Sequence, residues 1–203
     1  MRNTLKIAAV AVALTAAFPV MAQVAEGNWL IRVRAVDLIF DNGQSKSVKT
    51  LDIKAEDRWI PEVDISYFFT KNIAAELVLT WPQNIDIKAG STKIGHVQAL
   101  PPSLLLQYHF TDLGAFKPYV GAGVNYTHFY KTHNLLDGAA HIENDSWGLV
   151  GQLGMDYVLS KNWSLNIDAK YVQMNTDVHL GSTNIGKLDL NPITLGVGVG
   201  YRF

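Results

Sequence analysis

Apolar residues recur at every second position along most of this chain, the pattern of strands with two unlike faces. At the C-terminus, "NPITLGVGVGYRF", Ile193, Leu195, Val197, Val199, Tyr201 and Phe203 share one parity. Thr194, three glycines and Arg202 take the other. The pattern predicts eight strands, at 28–40, 58–70, 73–81, 101–110, 118–130, 146–159, 163–175 and 188–203. Helical periodicity is nearly absent. The connections alternate in length: "TKN", "TDLGAFK" and "SKN" are short, whereas 41–57, 82–100, 131–145 and 176–187 are longer and polar. Short turns on one side and long loops on the other predict an antiparallel barrel of the outer-membrane kind, with the short turns in the periplasm. An even strand count puts both termini on that side.

Sorting each strand by parity separates the chemistry. One face collects residues such as Trp29, Val33, Val63, Leu77, Leu104, Val120, Leu153, Ile167 and Val197. The other collects Arg32, Arg34, Glu62, Asp64, Glu76, Asp156, Asp168, Lys170 and Arg202. Asp37 alone among the strand-core charges lies on the apolar parity, where a bulge could turn it. A soluble barrel or sandwich, such as a carrier of an apolar ligand, would point the apolar face inward and the charges at water. A membrane barrel reverses this. Three features favour lipid outside. All five Trp and many Tyr and Phe lie on the apolar parity near strand ends, as in two interfacial girdles. Gly121, Gly123, Gly148, Gly154, Gly196, Gly198 and Gly200 occupy the other face, where water-exposed strands carry polar side chains. The chain also stops on an aromatic residue, Phe203, with Tyr201 two before it.

Composition adds an address. Arg2 and Lys6 precede an apolar stretch, 7–20, and "VMA" places Val20 and Ala22 before Gln23. That order predicts a secretory signal at 1–22 and a mature barrel at 23–203. The apolar stretch is short for a bilayer-spanning helix. No Cys is present, which excludes disulfides and thiol chemistry, and a formal charge of -1 offers nothing for nucleic acid.

Four stretches, "HVQALPPSLLLQYHF", "KPYVGAGVNYTHFY", "DSWGLVGQLGMDYVLSKNWSLNIDAKY" and the final "LDLNP…GYRF", resemble the outer membrane protein W family, to which AlkL is related. The resemblance covers most of the chain from residue 96 on; before that, "TKNIAAEL" is the best match. It implies an eight-stranded all-β transmembrane barrel in a bacterial outer membrane. It also implies passage of small hydrophobic molecules through a narrow apolar funnel, with exit sideways into the bilayer. Phe203 resembles the terminal signal recognised by outer-membrane assembly machinery.

Eight strands enclose a space just wide enough for side chains, which argues against a general aqueous pore. Arg32, Asp64, Glu76, Asp156, Asp168 and Arg202 are expected near the periplasmic end as a charged floor of paired ions. Leu38, Ile60, Val78, Val150, Val172 and Met174 are expected above it as an apolar chamber. Pro61, Pro82, Pro101, Pro102 and Pro192 lack the N–H of a ladder bond and point to a break for lateral exit. The plainer alternative is that the apolar residues only fill the barrel and the prolines only bound loops. A different function is also open: a structural or surface-receptor barrel whose loops bind phage, bacteriocins or host factors. A membrane enzyme would need a convergent polar cluster at one interface, and none is evident, so no catalytic residue and no cofactor is assigned. His128, His133 and His141 have no compact metal spacing. His109 is placed to join the interior polar groups.

Overall fold

The computed structural model describes residues 27–41, 43–44, 53–130 and 140–203. The expected signal at 1–22 lies outside the described residues. In chain order the strands are β1 (Trp29–Ile39), β2 (Gly43–Gln44), β3 (Ile53–Ala55), β4 (Arg58–Phe68), β5 (Ile73–Thr80), β6 (Gln83–Ala89), β7 (Thr92–Leu100) and β8 (Ser103–His109). They continue with β9 (Phe116–Tyr130), β10 (Ala140–Ile142), β11 (Asp145–Val158), β12 (Trp163–Val172), β13 (Asn175–Leu180), β14 (Thr183–Asp189) and β15 (Ile193–Arg202).

Eight of these form a closed antiparallel ring in the order β1, β4, β5, β8, β9, β11, β12, β15. The last strand returns to the first from Leu30↔Arg202 to Ile39↔Ile193. Trp29 and Phe203 exchange backbone bonds of 3.1 and 2.9 Å at the bottom of that seam. Closure matters because hydrocarbon offers no partner for a free N–H or C=O, so a sheet that spans lipid must have no edge.

The wall has the parity read from the sequence. Val33, Leu104, Leu153, Ile167 and Val197 are outward and exposed, whereas Arg32, Arg34, Asp64 and Glu76 are at most 2% exposed. Rings meet at both ends of the wall. Trp29 packs edge-on to Tyr67 at 4.8 Å and Trp163 to Tyr201 at 4.9 Å near the termini. Tyr126 meets Trp147 at 4.7 Å at the far end. Asp37 does not turn inward. It keeps a regular register between Leu195 and Trp59, with no bulge, and sits half-buried on the outer wall close to the upper rim.

The long connections differ from the polar loops expected. They carry hairpins that raise the wall beyond the ring: β6 with β7 and β3 on one side, β13 and β14 with β10 and β2 on the other. A salt bridge of 2.8 Å from Lys93 stitches β6 to β7 and holds the Asp86 carboxyl below the usual carboxylate range. The hairpins also interrupt the predicted strand 188–203, which breaks between β14 and β15 around Asn191, at φ 30°.

Two interior glycines are required by close approach. A Cβ at Gly154 would overlap the ring of Tyr119, and one at Gly198 would overlap the Val33 carbonyl oxygen on β1. The first lets a large aromatic cross the lumen, and the second lets the closing seam come together.

Val197, at the centre of β15, is 54% exposed on the lipid-facing wall. Val197→Arg is expected to lower the unfolding free energy in lipid vesicles by about 2–4 kcal/mol, the mid-bilayer cost of an outward Arg. An unchanged unfolding curve would contradict this orientation.

Candidate functional site

The interior is layered, and its central layer is built by register. Pairing of β1 with β4 sets Arg32 beside Asp64 and Arg34 beside Glu62. Pairing of β1 with β15 sets both arginines beside glycines, Gly200 and Gly198, which leaves room for the guanidiniums to reach across the lumen. Arg32 holds Asp156 with two bonds, of 3.0 and 2.6 Å, and donates to Glu76 at 2.7 Å and Ser66 at 3.0 Å. Arg34 meets Asp64 at 2.7 Å, Asp168 at 2.7 Å and Glu76 at 3.4 Å. Lys170 bridges Glu62 and Asp168, each at 2.7 Å.

Neutral groups bond several of the remaining oxygens. The Tyr119 hydroxyl donates to Asp168 at 2.8 Å, and Gln152 donates to Glu76 and Asp168 at 2.8 and 2.9 Å. Gln107 donates to Gln152 at 2.8 Å, and His109 lies 3.0 Å from Gln107. Asn166 donates to Asp156 at 2.8 Å. Pairing and hydrogen bonding of this kind are what make buried ions tolerable.

Of the six expected floor residues, Arg32, Asp64, Glu76, Asp156 and Asp168 come together in this network. Arg202 lies apart from it. The pair Leu30↔Arg202 puts it one layer lower, where Nε donates to Gly27 O at 2.8 Å and the guanidinium stacks 3.9 Å from the Phe68 ring. The ions therefore form a partition inside the barrel. A bottom layer of Leu30, Phe68 and Ala74 lies beneath it, and a cavity of about 320 Å³ opens beside them at the periplasmic mouth. The sequence reading omitted Arg34, Glu62 and Lys170 from the floor although their parity marked them as interior. Tyr119, Gln107, Gln152 and Asn166 were missed because uncharged residues on a polar parity carry no distinguishing signal.

Above the partition, Leu38, Ile60, Val78, Val150, Val172 and Met174 fall in one buried apolar cluster. It continues upward through Ile85, Val97, Phe129 and Leu190, contributed by the raised wall. The packing is close, and each of the six is at most 7% exposed.

Among the described residues the wall around this cluster has a marked gap, less bridged by backbone bonds than the break between 143–149 and 173–177. The β4–β5 ladder ends at Glu62↔Thr80, and the β3–β6 ladder begins at Ala55↔Ile87. Between them, residues 56–61 and 81–86 face each other with no ladder pair, and the Glu56 N–H reaches Asp86 O at 3.3 Å near the top. Inward parity flips across the gap on both strands, from Ile60 to Ala55 and from Val78 to Ile85. Pro61 and Pro82 lie in the two runs. Trp59 and Trp81, 64% and 75% exposed, stand outside it. Pro102 and Pro192 behave differently. Pro102 O accepts from Tyr126 N–H at 3.1 Å, and Pro192 O accepts from Val172 N–H at 3.0 Å, so the wall holds there.

The histidines do not gather. His133 lies outside the described residues, His128 is 2.7 Å from Asp145, and the His141 ring stacks on His179 at 5.0 Å. Among the described residues no group of three or more candidate ligands is arranged to hold a metal ion.

The sequence model of the OmpW family matches residues 25–203. The chain belongs to the OmpW family. It is similar to the uncharacterized outer-membrane protein y4mB of Sinorhizobium fredii, 42% identical over 186 residues that cover 86% of this chain and 80% of that protein. Outer membrane protein W of Escherichia coli is 34% identical over 148 residues, 68% of this chain and 70% of that protein. The crystal structure of the outer membrane protein OprG from Pseudomonas aeruginosa superposes with a TM-score of 0.70 at 28% identity, covering 90% of this chain and 99% of that one. This OmpW protein is accordingly an outer-membrane barrel with its termini on the periplasmic side.

Removing Arg32 would leave Asp156 without its salt bridge and take the nearer of two arginines from Glu76. Arg32→Ala in this OmpW protein is expected to cost about 3–5 kcal/mol of unfolding free energy, measured by denaturant titration in lipid vesicles. Arg202→Ala is expected to cost less than half as much, because its partners are a carbonyl and a ring. Equal losses would contradict the layered arrangement.

Proposed function

We propose that this barrel admits small hydrophobic molecules from the cell exterior and releases them sideways into the outer membrane. The observation that carries the proposal is the position of the gap between residues 56–61 and 81–86. It lies at the level of the apolar cluster and above the ion partition. Ile60 and Ile85 are buried on its inner side, and the two tryptophans stand on its lipid side.

The energetics favour this solute class. An apolar solute in the upper interior exchanges contacts with Leu38, Val78, Val150, Val172 and Met174 without stranding a hydrogen bond. Those side chains close the resting lumen, and the solute displaces them. The same solute cannot continue downward, because passing the partition means separating charges bonded at 2.6 and 2.7 Å. The bilayer is its lowest-energy destination, and a break in the ladder is where leaving costs little backbone hydrogen bonding. The family resemblance supports the same class of cargo. We further propose that Phe203, exposed at the base of the closing seam, presents the terminal aromatic to the assembly machinery.

Two variants separate transport from mere filling. Ile60→Asp puts a charge on the route, and uptake of an alkane-like probe by whole cells is expected to fall about ten-fold or more. The double change Pro61→Val with Pro82→Val returns two N–H groups to the gap, and uptake is expected to fall while folding is unaffected. Unchanged uptake in both, with loss on trimming the outer hairpins, would favour a surface-receptor barrel.

A further inference from the structure

We propose that the periplasmic mouth of the barrel is a binding site for an oxyanion carried on a short alkyl chain. This site is separate from the upper chamber, since the ion partition lies between them, and it stands whether or not the upper chamber transports.

The argument begins with unmatched charge. Four cations, Lys71, Lys117, Lys161 and Arg202, line the 320 Å³ cavity with two acids, Asp112 and Asp156. Asp156 is already held by both arms of Arg32 and by Asn166. Asp112 lies 3.5 Å from Lys71 at the exposed rim. Lys117, Lys161 and Arg202 then have no carboxylate in salt-bridge reach among the described residues. Two of the three are fixed in place by neutral contacts. The Lys117 ammonium donates to the Thr111 carbonyl, and Arg202 is held between the Gly27 carbonyl and the face of Phe68. Cations gathered in a cleft with low-dielectric walls concentrate a positive potential at its mouth.

One side of the cavity is apolar, and His109, Thr111, Ser160, Asn162 and Ser164 make up the polar remainder. Leu30 and Phe68 pack together beneath the partition, and Val158 completes that side. The volume is at the lower end of the range for small-molecule sites. An inorganic ion would use the cations and leave this surface wet, and a plain hydrocarbon would leave the cations unmatched. A carboxylate or phosphate with several methylenes satisfies both. The cavity ends at Asp156, which Arg32 holds from the other side, so the ligand enters and leaves by the periplasmic side.

Two sources carry this chemistry: a free alkyl carboxylate in the periplasm, and the phosphate head of an inner-leaflet phospholipid. The test uses the full mature chain, isotope-labelled and folded in phosphatidylcholine nanodiscs, with hexanoate as probe and hexanol as neutral control. Hexanoate is expected to give saturable NMR shifts at Trp163, Ser164 and Arg202, with hexanol about ten-fold weaker or more. Added salt is expected to weaken hexanoate alone. Arg202→Gln with Lys117→Gln is expected to weaken hexanoate about ten-fold. Lys161→Gln, in an exposed turn, gives a smaller loss in the same direction and serves if the double variant folds poorly. Repeating the titration in phosphatidylglycerol nanodiscs separates the sources: lost hexanoate binding identifies the lipid head as occupant, and unchanged binding identifies the free carboxylate. Equal binding of hexanol and hexanoate, unaltered affinity in the charge variants, or shifts confined to the outer end would each overturn the site.

Discussion

Everything in this barrel follows from lipid replacing water at its outer wall. Hydrocarbon accepts no hydrogen bond, so the eight strands must close, and the Trp29–Phe203 rung completes the closure. Hydrocarbon also accepts no ion, so the charges in the middle of the strands, except Asp37 close to the upper rim, are driven inward. There Arg32, Arg34 and Lys170 are shared among Glu62, Asp64, Glu76, Asp156 and Asp168. Neutral groups such as Tyr119 and Gln152 add hydrogen bonds to Asp168 and Glu76.

The partition so formed sorts the rest of the interior. Above it the side chains are apolar and meet a gap in the wall. Below it a small vestibule collects cations that the partition does not use. A barrel with an axial plug and a lateral break is suited to solutes that prefer membrane to water, and poorly suited to ions. Stability and the proposed route therefore share residues: the arginines that hold the barrel together also bar the direct path.

Much of the membrane portion was legible in the sequence, because lipid selects one parity so strongly. Val33, Leu104, Leu153 and Val197 announce an outer wall, and Arg32 with Arg34 announces an interior. The raised wall was not legible for the same reason. In "QNIDIKAGSTKIGHVQA" the alternation of Ile85, Ile87 and Val97 is present, yet its other face is polar, as suits strands standing in water. A search for lipid-facing strands reads that stretch as loop. Arg202 misled because parity gives the face of a residue and not its height; only the pairing Leu30↔Arg202 sets it below the ions. The gap at 56–61 was half legible. Pro61 and Pro82 marked it, but the concerted flip of parity on both strands depends on hairpins that parity alone does not reveal.

The claim on which all this rests is that the apolar parity faces lipid and the charged parity is enclosed. Nitroxide labels at Leu106, Leu165 and Leu195, read by electron paramagnetic resonance in vesicles, test it directly. High accessibility to oxygen and low accessibility to a water-soluble nickel complex at all three is the expected result. Ready access of the nickel complex to these positions would contradict the account.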